Sequence, residues 1–277
     1  MTLPPRTAGP ASRPPCIGVF DSGLGGLSVL QALCQAITGV HWVYVADSGH
    51  APYGERDEAY VMERCRRITA FLRAQGADMV VVACNTATAV AIDALRREHP
   101  GLPFIGVEPG LKPALFRSPS GRVGVMATEA TLRSPRFERL LKRWQGSCSV
   151  LCVPCPGLAQ AIETVDLHHP ALHTLVHRCV APLRDHGADT VVLGCTHYPW
   201  VAPAIHQALG PQVTLIDTAS SVAAQAARVL AGLRGWNRSV ALSAVRAYAS
   251  GAGEVLHRFA RRHLPALDWP VPEPLPA

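Results

Sequence analysis

Apolar positions along the chain fall into two rhythms. Short continuous β-branched runs alternate with longer stretches in which apolar residues recur every three or four positions, which predicts buried parallel strands alternating with amphipathic helices. Residues 16–20, 41–46 and 103–107 and the run that ends at Cys84 are of the first kind. Leu27, Leu30, Leu33 and Ile37 share one helical face, and Val61, Cys65, Ile68 and Leu72 share another in a helix over about 57–75. An Ala-rich helix reaching about residue 99, with Asn85-Thr86 as its N-cap, completes a first strand-and-helix unit.

A second unit repeats the plan. It has strands at 122–126, 149–153 and 213–216, one helix carrying Leu132, Phe137, Leu140, Leu141 and Trp144, and another over 171–186 in which Pro182 is placed to bend it. In places the repetition is almost literal: Gly76-Ala77-Asp78-Met79-Val80-Val81-Val82-Ala83-Cys84 recurs as Gly187-Ala188-Asp189-Thr190-Val191-Val192-Leu193-Gly194-Cys195, an offset of 195 − 84 = 111. Ile17 to Ser22 matches Val123 to Thr128 (123 − 17 = 106), and Glu108 matches Asp217 (217 − 108 = 109). From Ala219 helical spacing resumes (Val222, Ala226, Val229, Leu233), an edge strand is expected near 245–249, and a last helix carries Val255, Leu256 and Phe259. Residues 264–277 are Pro-rich and read as irregular. The expected architecture is α/β: two similar parallel-sheet domains related by a pseudo-twofold axis, 1–112 with 219–277 and 113–218, with the active site in the cleft between them.

Composition narrows the class. A chain of 277 residues is long enough for two cores, and 48% apolar with 17% charged residues is ordinary for a soluble globular protein. The net charge of +6 raises nucleic acid as a partner, but the basic residues come in pairs such as Arg66-Arg67, Arg96-Arg97 and Arg261-Arg262, as on solvated helix faces, so none is expected. No apolar run is long enough to cross a bilayer, and residues 1–15, rich in Pro and small side chains, read as a loose tail without a signal core. No membrane partner is expected, and the setting is expected to be cytoplasmic. Nine cysteines in a reducing compartment are core fillers or reagents rather than disulfide partners. Cys16, Cys34, Cys65, Cys148 and Cys179 fall within strand or helix patterns and read as fillers.

Ligands of parallel sheets bind beyond the carboxyl ends of the strands. Here those ends carry Asp21-Ser22, Asp47-Ser48, Cys84-Asn85-Thr86, Glu108, Cys195-Thr196-His197 and Asp217-Thr218. A thiol just before a helix N-terminus is expected to have its pKa lowered from about 8.5. Two such thiols facing one another suit inversion at a carbon: one takes a proton from one face, the other delivers one to the opposite face. Strand-end N–H groups and hydroxyls suit a substrate carboxylate, and Asp21 suits an ammonium. No metal, flavin or pyridoxal signature is present, so no cofactor is expected. Cys152-Val153-Pro154-Cys155 has redox spacing but lies in and after a strand, and His168, His169, His173 and His177 lack a matching carboxylate or cysteine set. Two other classes remain open. Gly23-x-Gly25 and Asp47 partly match a dinucleotide fingerprint whose third glycine is here Ser28, which suggests an NAD-dependent oxidoreductase; a two-lobed small-anion binding protein is the other.

Gly18-Val19-Phe20-Asp21-Ser22-Gly23, Pro52-Tyr53-Gly54, Ala83-Cys84-Asn85-Thr86-Ala87, Gly106-Val107-Glu108-Pro109 and Leu193-Gly194-Cys195-Thr196-His197-Tyr198-Pro199 together resemble the glutamate racemases of the cofactor-independent amino-acid racemases. The resemblance implies interconversion of L- and D-glutamate for bacterial peptidoglycan, with Cys84 acting on the D and Cys195 on the L enantiomer. It implies Asp21 and His197 as helpers of the two thiols and Glu163 as a further acidic helper. Ser22, Tyr53, Gly54, Asn85, Thr86, Thr196 and His197, with Asp21, match the family's substrate contacts. Thr88 stands where Ser is usual and Gly110 where Ala often follows Glu-Pro. A homodimer is implied as well, and aspartate racemase is the nearest alternative activity.

Overall fold

A computed structural model describes residues 13–146, 148–233, 236 and 244–276, so the expected tail lies, up to residue 12, outside the described residues, as does Ala277. The first unit runs β1 (Cys16–Asp21), α1 (Leu27–Ala36), β2 (His41–Ala46), α2 (Glu58–Ala74), β3 (Met79–Val82), α3 (Asn85–Glu98) and β4 (Phe104–Gly106). After α4 (Leu111–Arg117) the second unit runs β5 (Arg122–Ala127), α5 (Glu129–Arg133), α6 (Pro135–Trp144), β6 (Ser149–Pro154), α7 (Leu158–Thr164), α8 (Pro170–Asp185), β7 (Thr190–Gly194), α9 (Ala202–Leu209) and β8 (Thr214–Ile216). The chain closes with α10 (Ala219–Leu230), β9 (Ala244–Ala249), α11 (Gly253–His263) and β10 (Glu273–Pro274).

Two parallel sheets result, one for each of two α/β domains, with strand orders β10-β9-β2-β1-β3-β4 and β6-β5-β7-β8. The repeat found in the sequence is the repeat of the sheets: β2-β1-β3-β4 corresponds to β6-β5-β7-β8. Its register is kept, since Ile17 pairs with Met79 as Val123 pairs with Thr190. One continuous apolar core joins the two, running from Ile17, Leu30 and Trp42 to Leu193, Tyr198 and Ile205. β9 pairs with β2 along its whole length, so the chain returns to the first sheet.

Several local expectations are corrected. The single helix expected through Leu132 and Trp144 is two, because Ser134 before Pro135 is held in the extended region; its hydroxyl accepts from Phe137 N–H and caps the second helix. The first of them is capped by Thr128. β9 is not an edge strand, since β10 adds outside it, and Pro274 is tolerated there because an edge strand can lack one ladder donor. α4, α7 and α9 arise in stretches punctuated by Pro or Gly that gave no helical rhythm; Gly157, at φ 73°, supplies the left-handed turn that opens α7. α8 continues through Pro182.

The tightest backbone approach in the second sheet is at Gly194, where a Cβ would stand 2.7 Å from the Met126 carbonyl oxygen. That neighbour is main chain and has little freedom to yield. Gly194→Ala is therefore expected to lower stability by about 1–3 kcal/mol, whereas Gly101→Ala, with nothing within 4 Å, leaves it unchanged. Urea midpoints of the two variants check this; equal midpoints would contradict it.

Candidate active site

The carboxyl ends of β1, β3 and β7 converge. Asp21 ends β1, Cys84 follows β3 as the N-cap of α3, and Cys195 follows β7. Asn85-Thr86 is thus the first turn of α3 rather than its cap, and the Cys84 sulfur itself accepts from Ala87 N–H at 3.5 Å. Both thiols are buried, Cys84 at 5% and Cys195 at 7% exposure, and Asp21 is at 0%.

The helix N-terminus does not lower the Cys84 pKa as expected. Burial pushes the thiol well above its ordinary value, the Asp21 carboxylate adds to this, and the Ala87 N–H pulls the other way without prevailing. Asp21 is likewise raised by burial, against the pull of His197 and Cys84. Its Oδ2 accepts from Gly26 N–H at 2.6 Å, while Oδ1 is buried with no hydrogen-bond partner among the described residues. A buried carboxylate oxygen left free beside a thiol is suited to receive a proton or an ammonium. The Cys84 thiol also donates to Ser22 Oγ at 3.8 Å.

On the other side a chain of three side chains forms. His197 Nδ1 lies 3.6 Å from Cys195 Sγ, and Nε2 lies 2.8 Å from Glu163 Oε1, which also accepts from Leu24 N–H at 2.8 Å. Burial alone would lower the His197 pKa, but the bonds to Cys195 and Glu163 outweigh it and leave the imidazolium favoured well above the ordinary value. The two sides share one field: Cys195 contributes to the shift of Cys84, and His197 and Glu163 to that of Asp21.

The glycines of the first turn serve this meeting. A Cβ at Gly23 would collide with the Glu163 carboxylate, one at Gly25 with the His197 ring, and one at Gly26 with Asp21 Cβ at 2.5 Å. The turn that looked like part of a dinucleotide fingerprint is therefore filled by side chains of the second domain. Ser28, at the missing glycine, donates to the carbonyls of Gly25 (2.9 Å) and Thr196 (3.0 Å).

The other sequence-predicted residues line the same junction. Thr86 Oγ1 lies 2.9 Å from Thr128 Oγ1, Asn85 Nδ2 donates to Val107 O at 3.5 Å, and Gly54 lies against Thr128, whose Cβ a Gly54 Cβ would approach to 2.7 Å. Tyr53 is buried and its hydroxyl donates to Asp47 rather than into the cleft. Thr88 links the Val82 carbonyl (3.2 Å) to Val107 N–H (3.0 Å). An Ala at Gly110 would bring its Cβ to 2.8 Å from Ile216. Asp217 accepts from Ala219 N–H at the start of α10 and lines a small cavity that Cys195, Thr196 and Asn85 also border, while Glu108 pairs with Arg136. Cys155 donates to the Val153 carbonyl at 3.6 Å, and His169 caps α8. Four further residues support the junction without a signal in the sequence: the hydroxyls of Thr128 and Thr131 lie 2.9 Å apart, and Tyr44 and Trp200 donate to the carbonyls of Gly23 (3.0 Å) and Gly25 (3.4 Å). The cavity touching Cys195 and Asn85 measures about 10 Å³, room for about one water.

Acid–base groups from the carboxyl ends of two duplicated parallel sheets, gathered in one buried cluster, are what an enzyme of proton transfer requires. The chain belongs to the Asp/Glu/hydantoin racemase family, whose sequence profile matches residues 17–226. A glutamate racemase of Ectopseudomonas mendocina is 50% identical over 214 residues, 77% of this chain and 81% of that protein. One of Pseudomonas aeruginosa is 44% identical over 257 residues, 93% and 95% of the two chains. Among solved structures, a glutamate racemase isoform of Bacillus anthracis superposes with a TM-score of 0.84 at 28% identity, covering 96% of this chain and 98% of its own. The Escherichia coli glutamate racemase, solved with L-glutamate and an activator, gives 0.79 at 29% identity, covering 90% and 95%.

The raised His197 pKa has a consequence for stability. A group whose pKa is higher folded than unfolded contributes fully below its unfolded value of about 6.5 and loses that contribution as pH rises through the folded value. The urea midpoint is therefore expected to fall as pH climbs from about 6.5, and His197→Asn to flatten that fall. Parallel curves for the two proteins would contradict the assignment.

Proposed function

We propose that the protein is a cofactor-independent glutamate racemase working by two thiols. The observation that carries this reading is the placement of Cys84 and Cys195 at equivalent strand ends of a duplicated fold, each with its own acid–base neighbour. In the L-to-D direction the Cα–H bond breaks and the proton forms an S–H bond at Cys195. The electron pair left on carbon takes the proton of the Cys84 thiol from the opposite face. A Cys84 pKa pushed up by burial and by Asp21 keeps that proton in place until it is needed. For the reverse direction Asp21 accepts the Cys84 proton, and a substrate ammonium beside it offsets the negative charge. His197 stabilises the Cys195 thiolate, and Glu163 holds the imidazolium.

Ser22, Asn85, Thr86 and Thr196 offer donors to the substrate carboxylates, with Tyr53 and Gly54 at the rim. The product D-glutamate supplies peptidoglycan synthesis. Nine free cysteines suit a reducing cytoplasm. No helix among the described residues is long and apolar enough to cross a membrane. The homodimer is part of the same proposal, checked by light scattering on the purified protein.

Incubation with each glutamate enantiomer in D₂O, without added cofactor, is expected to give inversion and deuterium at Cα, with aspartate turned over poorly in parallel. Cys84→Ala and Cys195→Ala are each expected to lower turnover by about 10²–10⁴-fold or more while remaining folded. Substantial inversion by either variant would remove the two-thiol assignment.

A further inference from the structure

Beside the thiol cluster, at the carboxyl end of β2, lies a buried charged pair for which the reaction itself has no use. Asp47, at the end of β2 and at 0% exposure, receives a two-pronged bond from Arg64 of α2, Nε to Oδ2 at 2.9 Å and Nη2 to Oδ1 at 2.8 Å. The Tyr53 hydroxyl donates to the same Oδ2. Burial would raise the Asp47 carboxyl, but Arg64, Tyr53 and Ser250 hold it ionised below the usual carboxylate range. An ion pair taken out of water gives little net stability, because desolvation of both charges offsets their attraction. A pair so buried is better explained by what it holds in place.

It holds two things. Asp47 N–H donates to the Asp21 carbonyl at 2.9 Å, which ties the end of β2 to the residue beside Cys84. Through Tyr53 it also fixes the short helical turn Tyr53–Glu55, whose Gly54 lies against Thr128 of the second domain, itself 2.9 Å from Thr86. Arg64, Asp47, Tyr53, Gly54, Thr128 and Thr86 thus form one path of contacts from α2 to the second domain and back to the first turn of α3. Arg64 and Tyr53 meet on one carboxylate, so neither can shift alone.

We propose that Asp47 and Arg64 are positioning residues that act through Tyr53, setting where the Tyr53-Gly54 rim stands against the second domain and hence how glutamate is gripped. This rests on the racemase reading, which puts that rim at the substrate. The planar fork of Arg64 is essential to it, since a lysine would supply the charge without the second bond.

The test separates grip from stability. Arg64→Met alone leaves a buried unpaired carboxylate and is expected to lower the melting temperature. Asp47→Asn combined with Arg64→Met removes both charges and is expected to restore it, as neutral replacements of buried pairs do. In that double variant KM for glutamate stays raised by about tenfold while kcat changes by less than about threefold, the sign of lost binding common to ground and transition states. Tyr53→Phe, which keeps the ring, is expected to raise KM similarly with little change in melting, and Arg64→Lys to recover KM only in part. Should the double variant or Tyr53→Phe keep the wild-type KM, or lose kcat with KM unchanged, the proposal is overturned. A wild-type protein that inverts neither enantiomer would instead overturn the racemase reading.

Discussion

One contact joins the two domains and builds half of the site at the same time: Glu163 accepts from Leu24 N–H in the first domain and from His197 in the second. It requires glycine on either side of Leu24, because carboxylate and imidazole occupy the space where the Cβ atoms of residues 23 and 25 would be. Everything else in the cleft is arranged around that closure. Cys195 receives its imidazolium, Asp21 feels a positive neighbour, and both thiols are shut away from water. Low dielectric then makes each of these few charges count for more than it would at a surface.

The duplication is faithful in the sheets and broken at the site. Strand order, register and the placement of the two cysteines repeat. The helper groups do not. Asp21 aligns with Ala127 in the second domain, and the acid–base neighbour of Cys195 comes instead from His197, two residues further on, and from Glu163 on a helix without a counterpart in the recognised repeat. A racemase gains from this inequality. On the proposed two-thiol reading, Cys84 and Cys195 serve opposite faces of a carbon whose substituents are not symmetric, so an exact copy of one side could not serve the other. Thr128, which aligns with Ser22, has taken a different part by capping α5 and meeting Thr86 across the junction.

Much of this was legible along the chain. The alternation of buried strands and amphipathic helices needs only neighbours in sequence, and the repeat of Gly-Ala-Asp before a β-branched run and a cysteine marks the equivalent strands directly. Less legible were the short helices α4, α7 and α9, since Pro and Gly hide a rhythm of only two turns, and the break at Ser134-Pro135. Glu163 was reached only by resemblance, because nothing local distinguishes it from any other helical glutamate. Asp47 was visible as a strand-end carboxylate, but its partner Arg64 was one arginine among many on a helix face.

By itself the sequence determined the fold class, the pairing of the two halves and the two cysteines, because periodicity, turn residues and strand ends are properties of neighbouring residues. Only the tertiary structure decided the charge states. A thiol at a helix start looks activated from its immediate neighbours, yet burial and a carboxylate from another strand reverse the sign at Cys84. Desolvation and long-range partners depend on what the rest of the molecule brings within a few ångströms, and no stretch of chain carries that information alone.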